Sequence, residues 1–151
     1  MIIIVIVVLA TLLSIVGCIK SKKSLFKICL GITSILGVII ICFTAGYVYV
    51  TQYKITGVDS SLSPNGNYEL FLQEVGEPDW PFGHTHARII LNNGKKTVSK
   101  YSFDVANDGG RMNSNQWDVD WKEDYVEIFI HGEEQNDSRI ILNYNGDIDI
   151  P

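Results

Sequence analysis

The sequence predicts an all-β soluble domain preceded by an α-helical transmembrane hairpin. The first fifty residues are almost entirely apolar and contain no Asp or Glu. The remainder consists of short runs in which apolar and polar residues alternate, separated by turn signals. We therefore expect two membrane helices within residues 1–53, at about 2–19 and 28–50, and an extracytoplasmic β-domain over residues 54–151.

Both predicted helices match the thickness of a bilayer. Residues 2–19 carry no charge, and a helix of that length spans about 27 Å, close to the roughly 30 Å hydrocarbon core. Residues 28–50 are also uncharged and long enough to cross with some tilt. The lipid bilayer is thus the first predicted partner of the chain.

The segment between the helices predicts the orientation. It holds four lysines: Lys20, Lys22, Lys23 and Lys27. A short loop rich in Lys stays in the cytoplasm. We expect a multi-pass protein of the cell membrane whose N-terminus and C-terminal domain both lie outside. The outer interface would then be marked by three aromatic anchors, Tyr47, Tyr49 and Tyr53.

The apolar region has two alternative interpretations. Residues 15–18 loosely resemble a lipoprotein processing site, which would make Cys18 a lipidated residue, but no Lys or Arg precedes the apolar stretch as in a signal peptide. Whether Cys18 is lipidated stays open. A buried soluble helical hairpin is disfavoured because helices apolar on all faces need more cover than a hundred-residue domain provides. All three cysteines lie in the predicted spans, so no disulfide framework is expected.

The β-domain is strongly acidic. All seventeen acidic residues follow Val50, with eight of the twelve basic ones, which gives this part a formal charge of −9. Nucleic acid and anionic lipid surfaces would both repel it. Basic proteins, neutral ligands and cations are the compatible partners, and no motif for a cofactor is present.

Alternation and turn signals predict eight strands. Turns are indicated at 64–66, 93–94, 108–110 and 145–146, where Pro, Asn, Asp and Gly cluster. The predicted strands are 55–59, 67–75, 86–92, 96–106, 115–122, 125–132, 138–144 and 147–150.

The hairpin at residues 121–126 has a predictable register. With Glu123 and Asp124 at the centre of the turn, the apolar side chains of the two strands form one core face. The facing pairs are Trp121 with Val126, Val119 with Ile128, and Trp117 with Ile130. The same register sets Asp120 opposite Glu127 on the outer face, which costs roughly a few tenths of a kcal/mol unless a cation lies between them.

The domain also repeats itself. Residues 68–72 (YELFL) are echoed by 126–130 (VEIFI), and 88–92 (RIILN) are echoed by 139–143. The first copy has the longer intervening loop. The echo predicts two related hairpin units, arranged as an antiparallel curled sheet or a small sandwich.

Two resemblances follow from these segments. Ser63-Pro-Asn-Gly66 followed by Tyr-Glu-Leu-Phe resembles the blade start of TolB-type β-propeller repeats, although two units cannot close a propeller of at least about four blades. The whole chain resembles uncharacterised small two-helix membrane proteins of Gram-positive bacteria whose outer domain carries a segment similar to residues 76–83 (GEPDWPFG). The second resemblance implies a cell-envelope location and no activity.

The sequence gives only weak signals for a metal site. His84 and His86 share a face of a strand, and His131 is a possible third ligand, but no fixed Cys or carboxylate accompanies them in the sequence. Asp104, Asp108 and the Gly pair at 109–110 lack the regular spacing of a calcium loop. We expect no metal site.

The loop at residues 74–86 is the most informative feature. Pro78 and Pro81 stiffen it, and Trp80 and Phe82 give it a large apolar area. Rigid aromatic side chains on a loop are typical of a binding anchor. The alternative is that the two aromatics fold back as a plug over the core. The possible partner-binding residues are Trp80, Phe82, His84 and His86.

The predicted function is non-enzymatic. No catalytic motif is recognisable, although the many carboxylates leave a glycosidase pair open. We expect a membrane-anchored extracytoplasmic binding module whose partner is another envelope protein or a wall component. An accessory or sensor subunit of a larger membrane complex is the alternative, and an envelope hydrolase comes third. The sequence does not indicate the oligomeric state.

The topology can be tested with cysteine labelling. In a Cys-free background, Cys replacing Ser24 should be shielded from an impermeant thiol reagent in intact cells, because the Lys-rich loop is inside. Cys replacing Asn136 should be labelled, because the domain is outside. Labelling at position 24 with none at position 136 would reject this orientation.

Overall fold

The computed structural model describes residues 2–20, 24–79, 81–132 and 136–151. The chain divides into two compact units, Met1–Tyr49 and Val50–Pro151.

Two helices form the first unit. Helix α1 covers Ile2–Lys20, helix α2 covers Ser24–Val48, and a π-helical segment follows at Tyr49–Tyr53. Helix α2 begins four residues before the predicted start and so includes Lys27. Residues 21–23 of the predicted cytoplasmic loop lie outside the described residues.

The helices α1 and α2 contact each other through small side chains. Thr11 is buried, and its hydroxyl donates a hydrogen bond to the Val7 carbonyl at 2.7 Å. A Cβ added to Gly37 would overlap the Thr11 side chain, so the glycine permits the close approach. Small residues at a helix–helix contact are typical of membrane helices, because they let the backbones come near each other.

One helical segment meets the requirements of a membrane span. Phe26–Tyr53 is 28 residues long, and an 18-residue window within it has a mean hydropathy of 2.5. The apolar part of the first helix that the structure describes, Val5–Gly17, is shorter than a span requires. A single candidate span is thus the finding for the described residues, and the two-span hairpin stays a prediction.

The second unit consists of eight strands in two antiparallel sheets. Sheet 1 has the order β1-β2-β3-β4, and sheet 2 has the order β5-β6-β7-β8. The strands are β1 Ile55–Leu62, β2 Tyr68–Val75, β3 His84–Asn93, β4 Lys96–Ala106, β5 Trp117–Trp121, β6 Tyr125–Ile130, β7 Ser138–Asn143 and β8 Ile148–Asp149. All eight predicted strands are confirmed. The clearest difference is at β5, where Ser114–Gln116 form a 3₁₀ helix capped by Asn113 rather than the start of the strand.

The two sheets share one core, so the domain is a small sandwich. Sheet 1 contributes Leu70, Leu72, Ala87, Ile89, Leu91 and Val105, and sheet 2 contributes Trp117, Val126, Ile128, Ile130, Ile140 and Leu142. Two indole N–H groups of β5 also bond to β1. Trp117 donates to Asp59 at 3.0 Å, and Trp121 donates to Ser61 at 2.9 Å. The curled single sheet, the other architecture left open by the sequence, is not formed.

The register of the β5–β6 hairpin agrees with the prediction. Trp117 pairs with Ile130, and Trp121 pairs with Val126. Asp120 lies opposite Glu127, as expected. Each carboxylate has its own cation: Lys122 lies 2.5 Å from Asp120, and Arg139 pairs with Glu127. Repulsion between the two acids is thereby offset.

The repeated hairpins are both antiparallel, but their pairing differs. Leu70 pairs with Leu91 in sheet 1, so the sequence echo predicts that Ile128 pairs with Leu142. Ile128 pairs with Ile140 instead. This slip of two residues preserves the face on which each side chain lies, because side chains alternate with a period of two. Leu70 and Ile128 accordingly are both fully buried.

The register defines two ends of the sandwich. One end, called here the Thr51 end, holds residues 51–54, the β2–β3 loop at 76–83 and the crossover between the sheets at 107–116. The other, called the Asn65 end, holds the turns at 63–67 and 122–124.

Core truncation should be costly. Replacing Ile128 by Ala should lower the free energy of unfolding by about 2–5 kcal/mol, since the side chain is fully buried. Ile150, which is 54% exposed, is the control, and its replacement by Ala should cost less than about 0.5 kcal/mol. Urea unfolding of the full chain in detergent, followed by Trp fluorescence, measures both. Equal effects would contradict the proposed core position of Ile128.

Candidate functional site

The β2–β3 loop begins with a close backbone contact. The Gly76 N–H donates to the Lys54 carbonyl at 2.7 Å, and the Glu77 N–H donates to the Thr51 carbonyl at 3.0 Å. Gly76 has a φ of 80°, and a Cβ at this position would overlap the Thr51 carbonyl. Both the left-handed backbone and the lack of space require glycine here.

The rest of the loop is closed by further backbone hydrogen bonds. The Gly83 N–H donates to the Asp79 carbonyl at 2.8 Å, and the Asp79 N–H donates to the His84 carbonyl at 3.0 Å. The crossover segment supports the loop from outside, because the Gly109 N–H donates to the Gly83 carbonyl at 2.9 Å. The backbone of the described part of the loop is therefore held in place without the Phe82 side chain.

Phe82 is left exposed by this arrangement. Its side chain is 74% accessible to solvent and is not part of the core cluster. The plug interpretation therefore fails for Phe82. Trp80, the other predicted anchor, lies outside the described residues.

His86 ties the loop to sheet 1. Its Nδ1 lies 2.6 Å from an Asp104 carboxylate oxygen, across the β3–β4 pair, and its Nε2 lies 3.5 Å from the Asp79 carboxylate on the loop. The hydrogen bond with Asp104 is the main cause that raises the pKa of His86, against an opposing effect of burial. A charged His86 therefore holds two carboxylates on different elements together.

A shallow pocket of about 360 Å³ adjoins this pair. It is lined by Val75, His86, Ala87, Ser102, Phe103 and Asp104. Both nitrogens of the imidazole face carboxylates, so His86 is engaged in structural ion pairs rather than arranged as a base toward the pocket.

His131 makes an equivalent connection in sheet 2. Its Nε2 lies 3.0 Å from Asp118, and its Nδ1 lies 3.0 Å from Asp137. The hydrogen bond with Asp137 is the largest cause of the raised pKa of His131. Residues 131–137 connect β6 to β7, the second and third strands of sheet 2, as residues 76–83 connect the second and third strands of sheet 1. In each sheet a histidine therefore pairs with one carboxylate on this connection and one on a neighbouring strand.

The histidines are not brought together as a metal site. His84 is exposed at the start of β3, and His131 directly follows β6 of the other sheet. Asp104 is paired with His86, and Asp108 lies in a left-handed turn with φ 47°. Within the described ranges, no group of three His, Cys, Asp or Glu side chains is arranged to hold a metal ion.

A buried carboxylate next to the loop was missed by the sequence reasoning. Glu74 is only 2% exposed, and its carboxylate accepts hydrogen bonds from Arg111 and from the Met112 N–H, both at 3.2 Å. Arg111 also pairs with Glu77 on the loop. Burial is the largest influence on the pKa of Glu74 and raises it, while Arg111 and the Met112 N–H act in the opposite direction. The signal was its inward position in β2, two residues after the core residue Leu72.

The crossover is completed by neutral polar side chains. Thr85 donates to the Gly110 carbonyl at 2.5 Å, and the Asn107 amide donates to the same carbonyl at 3.1 Å. Gln116 in turn donates to the Asn107 side chain at 2.5 Å. All three side chains are buried, so these bonds satisfy groups that would otherwise be costly to bury.

Comparisons with protein-family models, with curated proteins and with solved structures give no significant match to this chain.

The histidine pairs should make stability depend on pH. The folded-state pKa values of His86 and His131 are raised, so their stabilising contribution is full below the unfolded pKa of roughly 6.5 and is lost as pH rises through the folded pKa. The melting temperature of the full chain should therefore fall as pH rises above about 6.5.

The His86→Asn, His131→Asn double variant should show a smaller fall over the same pH range. His84→Asn is the matched control, because the exposed His84 ring has no hydrogen bond or ion pair among the described residues. A pH dependence that is unchanged in the double variant would show that these ion pairs do not contribute.

Proposed function

We propose that this protein is a membrane-anchored extracytoplasmic binding module without enzymatic activity. Its apolar helical segment holds the domain at the cell membrane, and the loop with Trp80, Phe82, His84 and His86 binds a second component of the cell envelope. The observation that most supports this proposal is that the Phe82 side chain is 74% accessible to solvent, on a loop whose backbone is held by hydrogen bonds at both ends.

A rigid loop with an exposed aromatic favours binding over a role in folding. Phe82 contributes little to the core, so its ring is free to be buried against a partner, and that burial would remove its apolar area from water. Because the backbone is already ordered by Gly76, Gly83 and Gly109, little conformational entropy is lost on binding. These are the properties of a binding hot spot.

The proposed topology has two spans. Helix α1 crosses the membrane beside α2, the Lys-rich segment between them stays in the cytoplasm, and the domain is outside. The support is the apolar character of both helices, their close contact at Thr11 and Gly37, and the lysines at 20–27. The propeller-like origin of the two hairpin units also stays a proposal, supported by the equal strand orders of the sheets.

A second function is favoured by the surface of α2. A Cβ added to Gly31 or Gly46 would contact nothing, so both glycines face open space. Small residues on a lipid-facing surface allow another membrane helix to approach closely. The alternative proposal is therefore an accessory or sensor subunit that joins a larger membrane complex through its helices.

Site-specific crosslinking tests the leading proposal. A photoreactive phenylalanine analogue replaces Phe82 in the full chain in cells, and the same analogue replaces Leu62 as the control. Leu62 is also an exposed apolar residue, at 62%, but it lies at the Asn65 end. Crosslinking to an envelope component should occur at position 82 and not at position 62. Equal yields, or none at position 82, would reject the loop as the binding site.

The rigidity of the loop can be tested in the same assay. Gly76→Ala should reduce the crosslinking from position 82, because the added Cβ pushes the loop away from Thr51. Gly66→Ala is the control, since Gly66 has a similar φ of 71° but open space around it. An equal loss in both variants would show that general destabilisation, rather than loop position, is responsible.

A further inference from the structure

The position of the Phe82 loop in the domain restricts which partner it can reach. The loop is hydrogen-bonded to the carbonyls of Thr51 and Lys54, at 3.0 Å and 2.7 Å. Thr51 belongs to the last turn of the candidate span Phe26–Tyr53, and Lys54 is the next residue after it. The base of the loop therefore lies beside the residues with which the span ends.

Chain length limits how far Phe82 can stand from this point. Phe82 is the sixth residue after Gly76, so even a fully extended chain between them reaches only about 20 Å. The hydrogen bond between Gly83 and Asp79 folds the loop back and shortens that distance. Headgroups extend roughly 5–8 Å beyond the hydrocarbon core on each side. Phe82 is thus within about 20 Å of the loop base beside the end of the span, which is within reach of proteins that stand at the same membrane surface.

The charges around Phe82 argue against the lipid itself as the occupant. Segments 74–86 and 104–111 contain five carboxylates, and the cations among them are the Arg111 guanidinium and the His86 imidazole, so the group stays acidic. Asp79 and Asp104 are 56% and 61% exposed. An anionic lipid surface would repel this group. A protein surface with an apolar pocket edged by Lys or Arg is complementary to an aromatic side chain surrounded by acids.

On these grounds, and resting on the proposed binding function of the loop, we infer that the partner is an integral protein of the same membrane, contacted at the outer bilayer surface through a basic-edged apolar pocket. This distinguishes the partner from a wall component, which the proposed function alone leaves open.

The position of the loop is tested independently of any partner. In the full chain with all native cysteines replaced by Ala, a nitroxide label is attached at Phe82→Cys or, as the control, at Asn65→Cys. The protein is reconstituted in phosphatidylcholine vesicles that contain a nickel-chelating lipid. The headgroup-bound nickel should relax the label at position 82 several-fold more than the label at position 65. The reverse order overturns the inference. Oxygen concentrates in the acyl chains. If oxygen relaxes the label at position 82 more than the headgroup-bound nickel does, the residue is inserted in lipid, and this result also overturns the inference.

The class of partner is tested with the photoreactive analogue at position 82. After irradiation of intact cells, membranes are isolated and washed with alkaline carbonate, which releases peripheral and wall-derived material. We expect the crosslinked product to contain a second protein that stays in the washed membrane. A product released by the wash supports the binding module and overturns the inference. A product formed only with lipid overturns both, and the absence of any product rejects the binding function.

Charge complementarity is tested by neutralising one acid near Phe82. Asp79→Asn should lower the yield of the crosslinked product by about threefold or more. Added salt should lower the crosslinking yield of the chain that keeps Asp79, because it screens the attraction between opposite charges. Asp124→Asn is the matched control at the Asn65 end, where the structure gives no side-chain bond for this residue among those described. An unchanged yield in Asp79→Asn, or an equal loss in both variants, argues against a basic-edged pocket.

Discussion

The sandwich depends on the buried carboxylate of Glu74. The chain passes from sheet 1 to sheet 2 only once, through residues 107–116, and the two sheets share a core only if this crossover is held in place. Glu74 bonds to Arg111 and to the Met112 N–H within it. An unpaired buried carboxylate costs several kcal/mol, so the crossover and the carboxylate each require the other. The neutral bonds of Asn107 and Gln116 fix the remaining backbone.

The same constraint shapes the candidate binding loop. Arg111 reaches from Glu74 to Glu77, and Gly109 bonds to Gly83. The crossover therefore contacts both Glu74 in the core and the β2–β3 loop. Because the core fixes the crossover, the crossover in turn fixes the loop backbone. This arrangement explains how Phe82 can be held at the surface by backbone contacts alone. It also means that changes in the crossover affect both the pairing of the sheets and the presentation of Phe82.

Sequence periodicity was sufficient for the strands and for local pairing, because alternation and turn residues act over short distances. Eight strands and the register of the Trp121 hairpin follow from it. The two-residue slip of Ile128 did not, since a slip by an even number leaves the same side chains buried and gives no signal in the pattern. The role of Glu74 depends on Arg111, thirty-seven residues later, and such long-range pairs have no local signature. For the loop, the sequence identified the aromatic residues, but the exposure of Phe82 follows from backbone contacts with Thr51 and Gly109.

The two ends of the sandwich differ in how they respond to protons. At the Asn65 end, turns are closed by uncharged local bonds, such as those of Asn65 with Ser63 and Asn67. At the Thr51 end, two histidines with raised pKa values, His86 and His131, join each connecting loop to a neighbouring strand. Each group loses its stabilising contribution as pH rises through its folded-state pKa. A rise in pH therefore loosens the end that carries the binding loop, while the turns of the opposite end keep their bonds.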